Sequence, residues 1–227
     1  MKIPVIIPAR NEAEDIRSTL DTLSRQALGV EPYVIVNGST DKTADVARHS
    51  GAVVFESEEG KMRAVQAGLH YLGQRALEPL LILDADNQPF SRHWSRRMTS
   101  NLSNVEPERP AIVWGPYIFS KDINPLIGAF VTASSMYVSW ADRHDEDPRT
   151  IRGGNMGLKL KASELLEELL ALDNYWPRED VAIFDTVMQH DATKKVVFHP
   201  EAWMKGSGSR VTETLKNSSK DGAIRLE

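Results

Sequence analysis

Apolar runs and polar breaks alternate along the first 90 residues in a way that predicts a series of strands and helices. Ile3 to Ile7 is a short continuous apolar run closed by Pro8, the pattern of a strand buried on both faces. A helix is expected next, with Asn11 as its cap, Glu14 three residues on in the capping-box position, and Ile16, Leu20 and Leu23 along one face. Tyr33 to Val36 is a second strand run, ending in the turn Asn37-Gly38-Ser39-Thr40-Asp41. A helix carrying Ala44, Val46 and Ala47, a strand over Ala52 to Phe55, a helix over Met62 to Ala76 and a strand over Leu80 to Leu83 complete the series. Strands that do not alternate, separated by helices, predict an α/β fold with a mostly parallel sheet covered on both faces. Ligands of such sheets sit beyond the carboxyl ends of the strands. Those ends are Pro8 to Glu12, Asn37 to Asp41 and Asp84 to Asp86, all polar.

The second half is less regular. Asn101 to Pro110 reads as a polar loop, Ala111 to Trp114 as a strand, and Pro125 to Trp140 as a mostly apolar helix with Gly128 inside it. Asp142 to Gly154 is charged and ends in a double glycine, which predicts a mobile loop. Leu165, Leu166, Leu169 and Leu170 form a helical stripe expected in the core. Val181 to Met188 reads as a further helix and Lys195 to Phe198 as a further strand. From Gly206 onward Gly, Ser, Thr and Lys dominate, so residues 206–227 are expected to be a flexible tail able to act as a lid. One domain over residues 1–205 is expected, with no internal repeat and no second domain.

Composition narrows the functional classes. Among 227 residues there are 27 Lys and Arg against 32 Asp and Glu, a formal charge of −5. That balance removes the general attraction most nucleic-acid binders rely on. Zero cysteines exclude a disulfide scaffold, a thiolate zinc site and a cysteine nucleophile. No apolar run approaches the roughly 20 residues that span a bilayer, and Met1-Lys2-Ile3-Pro4 leads into a strand rather than a signal peptide. A cytoplasmic chain without stable membrane insertion is therefore expected.

Candidate chemistry centres on Asp84-Ala85-Asp86, directly after a buried strand. Carboxylates two apart in a strand-end turn can converge on one ligand, and hard oxygen donors suit Mg²⁺ or Mn²⁺. Such an ion can bridge a diphosphate and neutralise the charge that develops on it as it leaves. Alone, Asp-Ala-Asp-Asn reads equally well as a polar turn. The same holds around it: Pro8 can simply end a strand, Asn11 cap a helix, Gly38 permit a turn and Lys61 be solvated. Asn11, Glu12, Glu14 and Asp15 make the first helix start acidic, which disfavours a bare phosphate there. Arg92, His93, Arg96 and Arg97 follow the turn on one helix and can attract an anionic acceptor or remain a solvated face.

Taken in order, Pro8-Ala9-Arg10-Asn11-Glu12, Gly38-Ser39-Thr40-Asp41, Gly60-Lys61, Asp84-Ala85-Asp86, Gly153-Gly154-Asn155 and Arg178-Glu179-Asp180 resemble the family-2 type of nucleotide-sugar glycosyltransferase with the GT-A fold. The resemblance covers about residues 3 to 200. It implies that Pro8, Ala9, Arg10 and Glu12 line a nucleoside pocket, that Asn37 meets the base, and that Lys61 lies near the base or diphosphate. Asp84 and Ala85 would flank the ribose or a metal-bound water, and Asp86 would hold Mn²⁺ or Mg²⁺, with His199 as a further metal ligand. Arg152, Gly153, Gly154, Asn155 and Trp176 would form the acceptor side, Trp176 and Tyr175 as a sugar-stacking wall. Asp180, beside Glu179, would be the general base of an inverting transfer. Trp203, Lys205, Ser207 and Arg210 would belong to a lid over the diphosphate.

The resemblance thus implies a nucleoside diphosphate sugar as donor and a hydroxyl-bearing acceptor, whether small molecule, glycan or modified nucleobase. One departure is Val36, where the family commonly has an Asp that helps to read uracil; UDP remains the first expectation, with GDP-linked and other donors open. A similar GT-A group that makes glucosyl-phosphoglycerate shares the first three motifs and retains configuration, so a retaining transferase stays open. A catalytically inactive sugar-nucleotide binding module also stays open. A nucleotidyltransferase would need a long Gly-rich basic loop after the first strand, which Pro8 to Glu12 is not.

Overall fold

The computed structural model describes residues 2–73, 79–103, 111–121, 124–130, 132–133, 154–159, 162–171, 180, 182–183 and 195–207. Strands β1 (Ile3–Ala9), β2 (Val30–Asn37) and β3 (Val53–Ser57) alternate with helices α1 (Ile16–Ser24) and α2 (Thr43–His49). Then come α3 (Lys61–Gly73), β4 (Leu80–Leu83), the short β5 (Gln88–Pro89) and α4 (Trp94–Ser103). Beyond them lie β6 (Ala111–Trp114), β7 (Tyr117–Lys121), β8 (Asn155–Lys159), α5 (Ala162–Ala171), β9 (Lys195–Phe198) and β10 (Met204–Ser207).

Seven strands form the main sheet in the order β3-β2-β1-β4-β8-β6-β9. All neighbours are parallel except those of β8, which runs antiparallel to both β4 and β6. The expected mostly parallel α/β sheet is therefore present. Its strands read as apolar runs because both faces are covered. Alternate residues of β1 divide between two cores: Ile3, Val5, Ile7 and Ala9 join Ile16, Leu20, Leu23, Ala47, Trp94, Met98 and Leu102 from α1, α2 and α4. Ile6 joins Ala64, Val65, Leu69, Leu72, Leu165 and Leu169 from α3 and α5 on the other face. A small second sheet, β5-β10-β7, lies beyond the main one.

Several expectations change. Helix α1 begins at Ile16, not after Asn11: residues 12–15 form a turn closed by the amides of Asp15 and Ile16 on the Glu12 carbonyl (3.1 and 2.9 Å). Asn11 takes a positive φ of 54°, and its side chain is used elsewhere. The polar loop expected from Asn101 starts later, because α4 continues through Ser103. Of the leucine stripe, Leu165 and Leu169 are fully buried and Leu166 packs against the core, but Leu170 is 63% exposed. The tail expected to be flexible from Gly206 begins inside a strand: Gly206 and Ser207 belong to β10, which pairs with β7, so a boundary at 205 cuts a paired element. Residues 125–130 and 132–133 are helical, as expected for the apolar helix. The rest of that segment, residues 142–153 of the charged loop and residues 208–227 of the tail lie outside the described residues.

Candidate nucleotide-sugar site

The carboxyl edge of the sheet collects the ends of β1, β2, β4, β6 and β9 and, because it alone is antiparallel, the beginning of β8. That reversal is what delivers Gly154 and Asn155 to the same edge as Asp84.

At one side, the turns after β1 and β2 are tied to each other. The Asn11 amide donates to Ser39 Oγ (3.0 Å), the Thr40 amide to Asn11 Oδ1 (2.9 Å), the Glu12 amide to Thr43 Oγ1 (2.8 Å) and the Ala13 amide to Asp41 Oδ2 (3.1 Å). Asn37 is buried and donates from Nδ2 to the Ala9 carbonyl (3.2 Å). Partial burial acts to raise the Asp41 pKa, but hydrogen bonds from the Thr43 side chain and the Thr43 and Ala13 amides outweigh it and hold the carboxyl below its ordinary value. Gly38, at φ +71°, allows the Glu59 side chain to lie against the turn, where a Cβ would be 3.2 Å from Glu59 Cβ. Glu59 pairs with exposed Arg10 at 2.5 Å. Pro8 and Ala9 are buried.

At the centre, Lys61, the first residue of α3, places its Nζ 2.6 Å from Asp84 Oδ1. Both side chains are mostly shielded, Lys61 at 27% and Asp84 at 16% exposure. Asp86 is half-buried and Ala85 buried. The Asp84-Ala85-Asp86 turn is anchored on α1 through Thr19 Oγ1, which donates to the Ala85 carbonyl (2.7 Å), and just beyond it Gln88 Nε2 donates to Ser18 Oγ (2.8 Å). On its other flank, Gly154 O accepts from the Asp84 amide (3.3 Å) and from Asn87 Nδ2 (3.1 Å).

His199 follows β9 and is half-buried. Its amide donates to the Trp114 carbonyl (2.8 Å), and its Nδ1 accepts from the Glu201 amide (3.3 Å). Arg97 on α4 clamps the same turn, reaching the Glu201 carbonyl (2.8 Å) and carboxylate (3.1 Å). Burial, with a smaller opposing effect of Glu201, lowers the His199 pKa below 6.5, so the ring is neutral at neutral pH. An Nδ1 that accepts leaves the proton on Nε2, and ligation through Nε2 requires that proton to move.

Among the described residues no group of three or more His, Cys, Asp or Glu converges to hold a metal ion. The donor types nonetheless fit a divalent ion: two carboxylates two positions apart, Asp84 and Asp86, and an imidazole, His199, whose protonation burial disfavours.

Residues 5–125 match the profile of the family described as "Glycosyl transferase family 2". The chain belongs to this family. It is 31% identical over 131 residues to the 4,4'-diaponeurosporenoate glycosyltransferase of Staphylococcus haemolyticus (strain JCSC1435), a match over 51% of this chain and 34% of that protein. It is 44% identical over 126 residues to the protein of the same name from Staphylococcus aureus (strain USA300), over 52% and 32%. The chain thus spans about a third of the length of these curated relatives. Among solved structures, glucosyl-3-phosphoglycerate synthase from Mycobacterium tuberculosis in complex with Mn²⁺, UDP and phosphoglyceric acid superposes with a TM-score of 0.61 at 22% identity, over 96% of this chain and 75% of that one. The same enzyme with Mg²⁺ and UDP gives 0.59 at 20% identity, over 99% and 81%. These likenesses establish the GT-A fold for this family 2 chain.

Of the residues expected at the site of this family 2 domain, the structure gathers Pro8, Ala9, Arg10, Glu12, Asn37, Lys61, Asp84, Ala85, Asp86, Gly154, Asn155 and His199 along one edge of the sheet. Asn11 is not the helix cap expected of it but a link between two turns. Asp180 is 7% exposed and lies in a helical stretch with buried Ala182 and Ile183. Arg152, Gly153, Tyr175, Trp176, Glu179 and Arg210 fall outside the described residues. Sequence reasoning missed Thr19, Asn87 and Trp94. Thr19 had a usable signal: it occupies a core position of the α1 stripe, between Ile16 and Leu20, where a buried hydroxyl needs a partner.

Proposed function

We propose that this chain transfers one sugar from a nucleoside diphosphate sugar, UDP-linked in the first instance, to a hydroxyl acceptor. The observation that carries the reading is the Lys61–Asp84 pair at the end of β4, set beside turns of β1 and β2 that are already locked together. A donor site of this kind is organised before the ligand arrives, so binding energy is not consumed in ordering loops. The nucleoside would lie over Pro8, Ala9, Glu12 and Asn37, with Lys61 and Arg10 as the nearby cations. Asp86, with Asp84 and His199, would hold Mn²⁺ or Mg²⁺, which supplies charge neutralisation to the diphosphate. The Mn²⁺ and UDP named for the structural relatives support that donor and ion.

In the transfer, the acceptor oxygen forms a bond to the anomeric carbon while the bond from that carbon to the diphosphate breaks, its electron pair leaving on the phosphate oxygen. The acceptor proton passes to Asp180, whose near-complete burial in the helix after residue 179 suits a base shielded from water. A second reading has its own support. The likeness to glucosyl-3-phosphoglycerate synthase spans nearly the whole chain, and that group is expected to retain configuration. The anomer of the product, read by proton NMR, separates inversion from retention.

The donor is tested by hydrolysis of UDP-, GDP- and dTDP-sugars with Mn²⁺. Turnover of one nucleotide class, lost in Asp86→Ala, supports the reading; no turnover of any class contradicts it. Asp180→Asn should keep donor binding and lose about 10²- to 10⁴-fold in transfer rate. Unchanged transfer would remove Asp180 as base.

A further inference from the structure

We infer that Gly154 and Asn155 are positioning residues that fix the Asp84–Asp86 turn and the His199 turn at one separation, a role that rests on the donor site proposed above. Expected on the acceptor side, Asn155 is in fact fully buried, and both ends of its amide are occupied. Its Oδ1 accepts from Trp94 Nε1 on α4 (2.9 Å), and its Nδ2 donates to the Ala202 carbonyl (2.9 Å). The Ala202 amide in turn donates to the His199 carbonyl (3.1 Å). One side chain therefore reaches the backbone of the turn that carries the imidazole.

The residue before it holds the carboxylates. The Gly154 carbonyl accepts from the Asp84 amide and the Asn87 side chain. No side chain fits at this position: a Cβ on Gly154 would stand 2.3 Å from Asp84 Oδ2 and 2.7 Å from Asn87 Nδ2. Space around the other arm is equally closed, since a Cβ on Gly115 would lie 2.3 Å from the Ala202 carbonyl and 2.9 Å from Asn155 Nδ2. Strand β8 starts here, with Asn155 paired to Leu83 and Met156 to Trp114. The dipeptide is thus bonded into the sheet between β4, which leads to Asp84, and β6, whose parallel neighbour β9 leads to His199. Loss of a hydrogen-bonding partner that orients a metal ligand typically lowers metal affinity by about 10- to 100-fold.

The test measures Mn²⁺ binding by loss of the free-ion electron paramagnetic resonance signal, with and without UDP, beside UDP binding without metal and the melting temperature. Asn155→Asp keeps the acceptor for Trp94 and removes the donor to Ala202. Gly154→Ala pushes on Asp84. Trp94→Phe removes the bond from α4 together with part of a fully buried core ring. The first two should weaken Mn²⁺ binding in the presence of UDP by about tenfold, a larger loss than either causes in metal-free UDP binding. Trp94→Phe should lower the melting temperature and leave Mn²⁺ binding as it is. If Asn155→Asp does not fold, Gly154→Ala still tests the carboxylate arm. Unchanged Mn²⁺ affinity in the folded variants, or a loss in Trp94→Phe that scales with its melting temperature, overturns the inference. Absence of Mn²⁺ binding in the native chain with any nucleoside diphosphate, or its persistence in Asp86→Ala, overturns the site reading itself.

Discussion

The two sides of the carboxyl edge are held by different means. Around β1 and β2, loop meets loop: backbone amides of residues 11–13 find side chains of residues 39–43, and the partners lie 28 to 31 positions apart. Around β4, β8 and β9, buried side chains link distant elements, Asn155 and Asn87 to backbone carbonyls and Trp94 to the Asn155 side chain, across 47 to 67 positions. The first side is polar, exposed and redundant, so losing one bond leaves others and water takes the vacated place. The second is dry. There the buried Asn155 Oδ1 and Nδ2 join Trp94 to the Ala202 carbonyl, and removing that side chain strands both partners away from solvent.

The largest expected contrast in stability follows from that. Asn155→Ala leaves Trp94 Nε1 and the Ala202 carbonyl without their partner, and each stranded group costs about 1–3 kcal/mol. Asn11→Ala removes exposed bonds and places a Cβ-bearing residue without a compensating side chain at φ 54°, a loss of about 1 kcal/mol, part of which Asn11→Gly recovers. Urea unfolding of the three variants measures both; equal losses for Asn155→Ala and Asn11→Ala would erase the distinction between the two sides.

A smaller effect concerns pH. With its folded pKa below the unfolded 6.5, His199 adds protons more readily when the chain unfolds. Its contribution to stability is therefore whole above pH 6.5 and falls as pH drops from there to the folded value. Metal binding that uses the neutral ring should persist through pH 6.5 and decline only at lower pH. The Mn²⁺ titration repeated across pH 5 to 8, with His199→Gln as reference, would contradict this if affinity declined from pH 7 downward in the native chain alone. Smallest of all is Arg10→Ala. Its pair with Glu59 is half-exposed, and such pairs contribute about 0–1 kcal/mol. Melting should barely move, whereas UDP affinity should fall if Arg10 turns to the donor.

What was legible in the sequence follows the same division. Strands β4 and β6 stand at the bounds their apolar runs predicted, Leu80–Leu83 and Ala111–Trp114, because a short run between polar breaks has few alternatives. The turn motifs after β1, β2 and β4 were legible as a set and do share one edge. Asn11 was misread because Asn followed by Glu at the third position fits a local helix start, while its actual partner, Thr40, is 29 positions away. Gly206 and Ser207 read as the start of the tail because Gly and Ser have little strand propensity, whereas the pairing of Met204–Ser207 with β5 and β7 makes them part of a strand. Asn155 is expected on the acceptor side, and the sequence does not record that Trp94 and Ala202 close over its amide.

The proposed donor site requires this edge to bind a nucleoside diphosphate together with a divalent ion. Thermal melting of the native chain with Mn²⁺, with UDP and with both measures it directly. The rise with both should exceed the sum of the separate rises, and Asp86→Ala should lose that excess. A melting curve unmoved by Mn²⁺ with UDP, GDP or dTDP would contradict it.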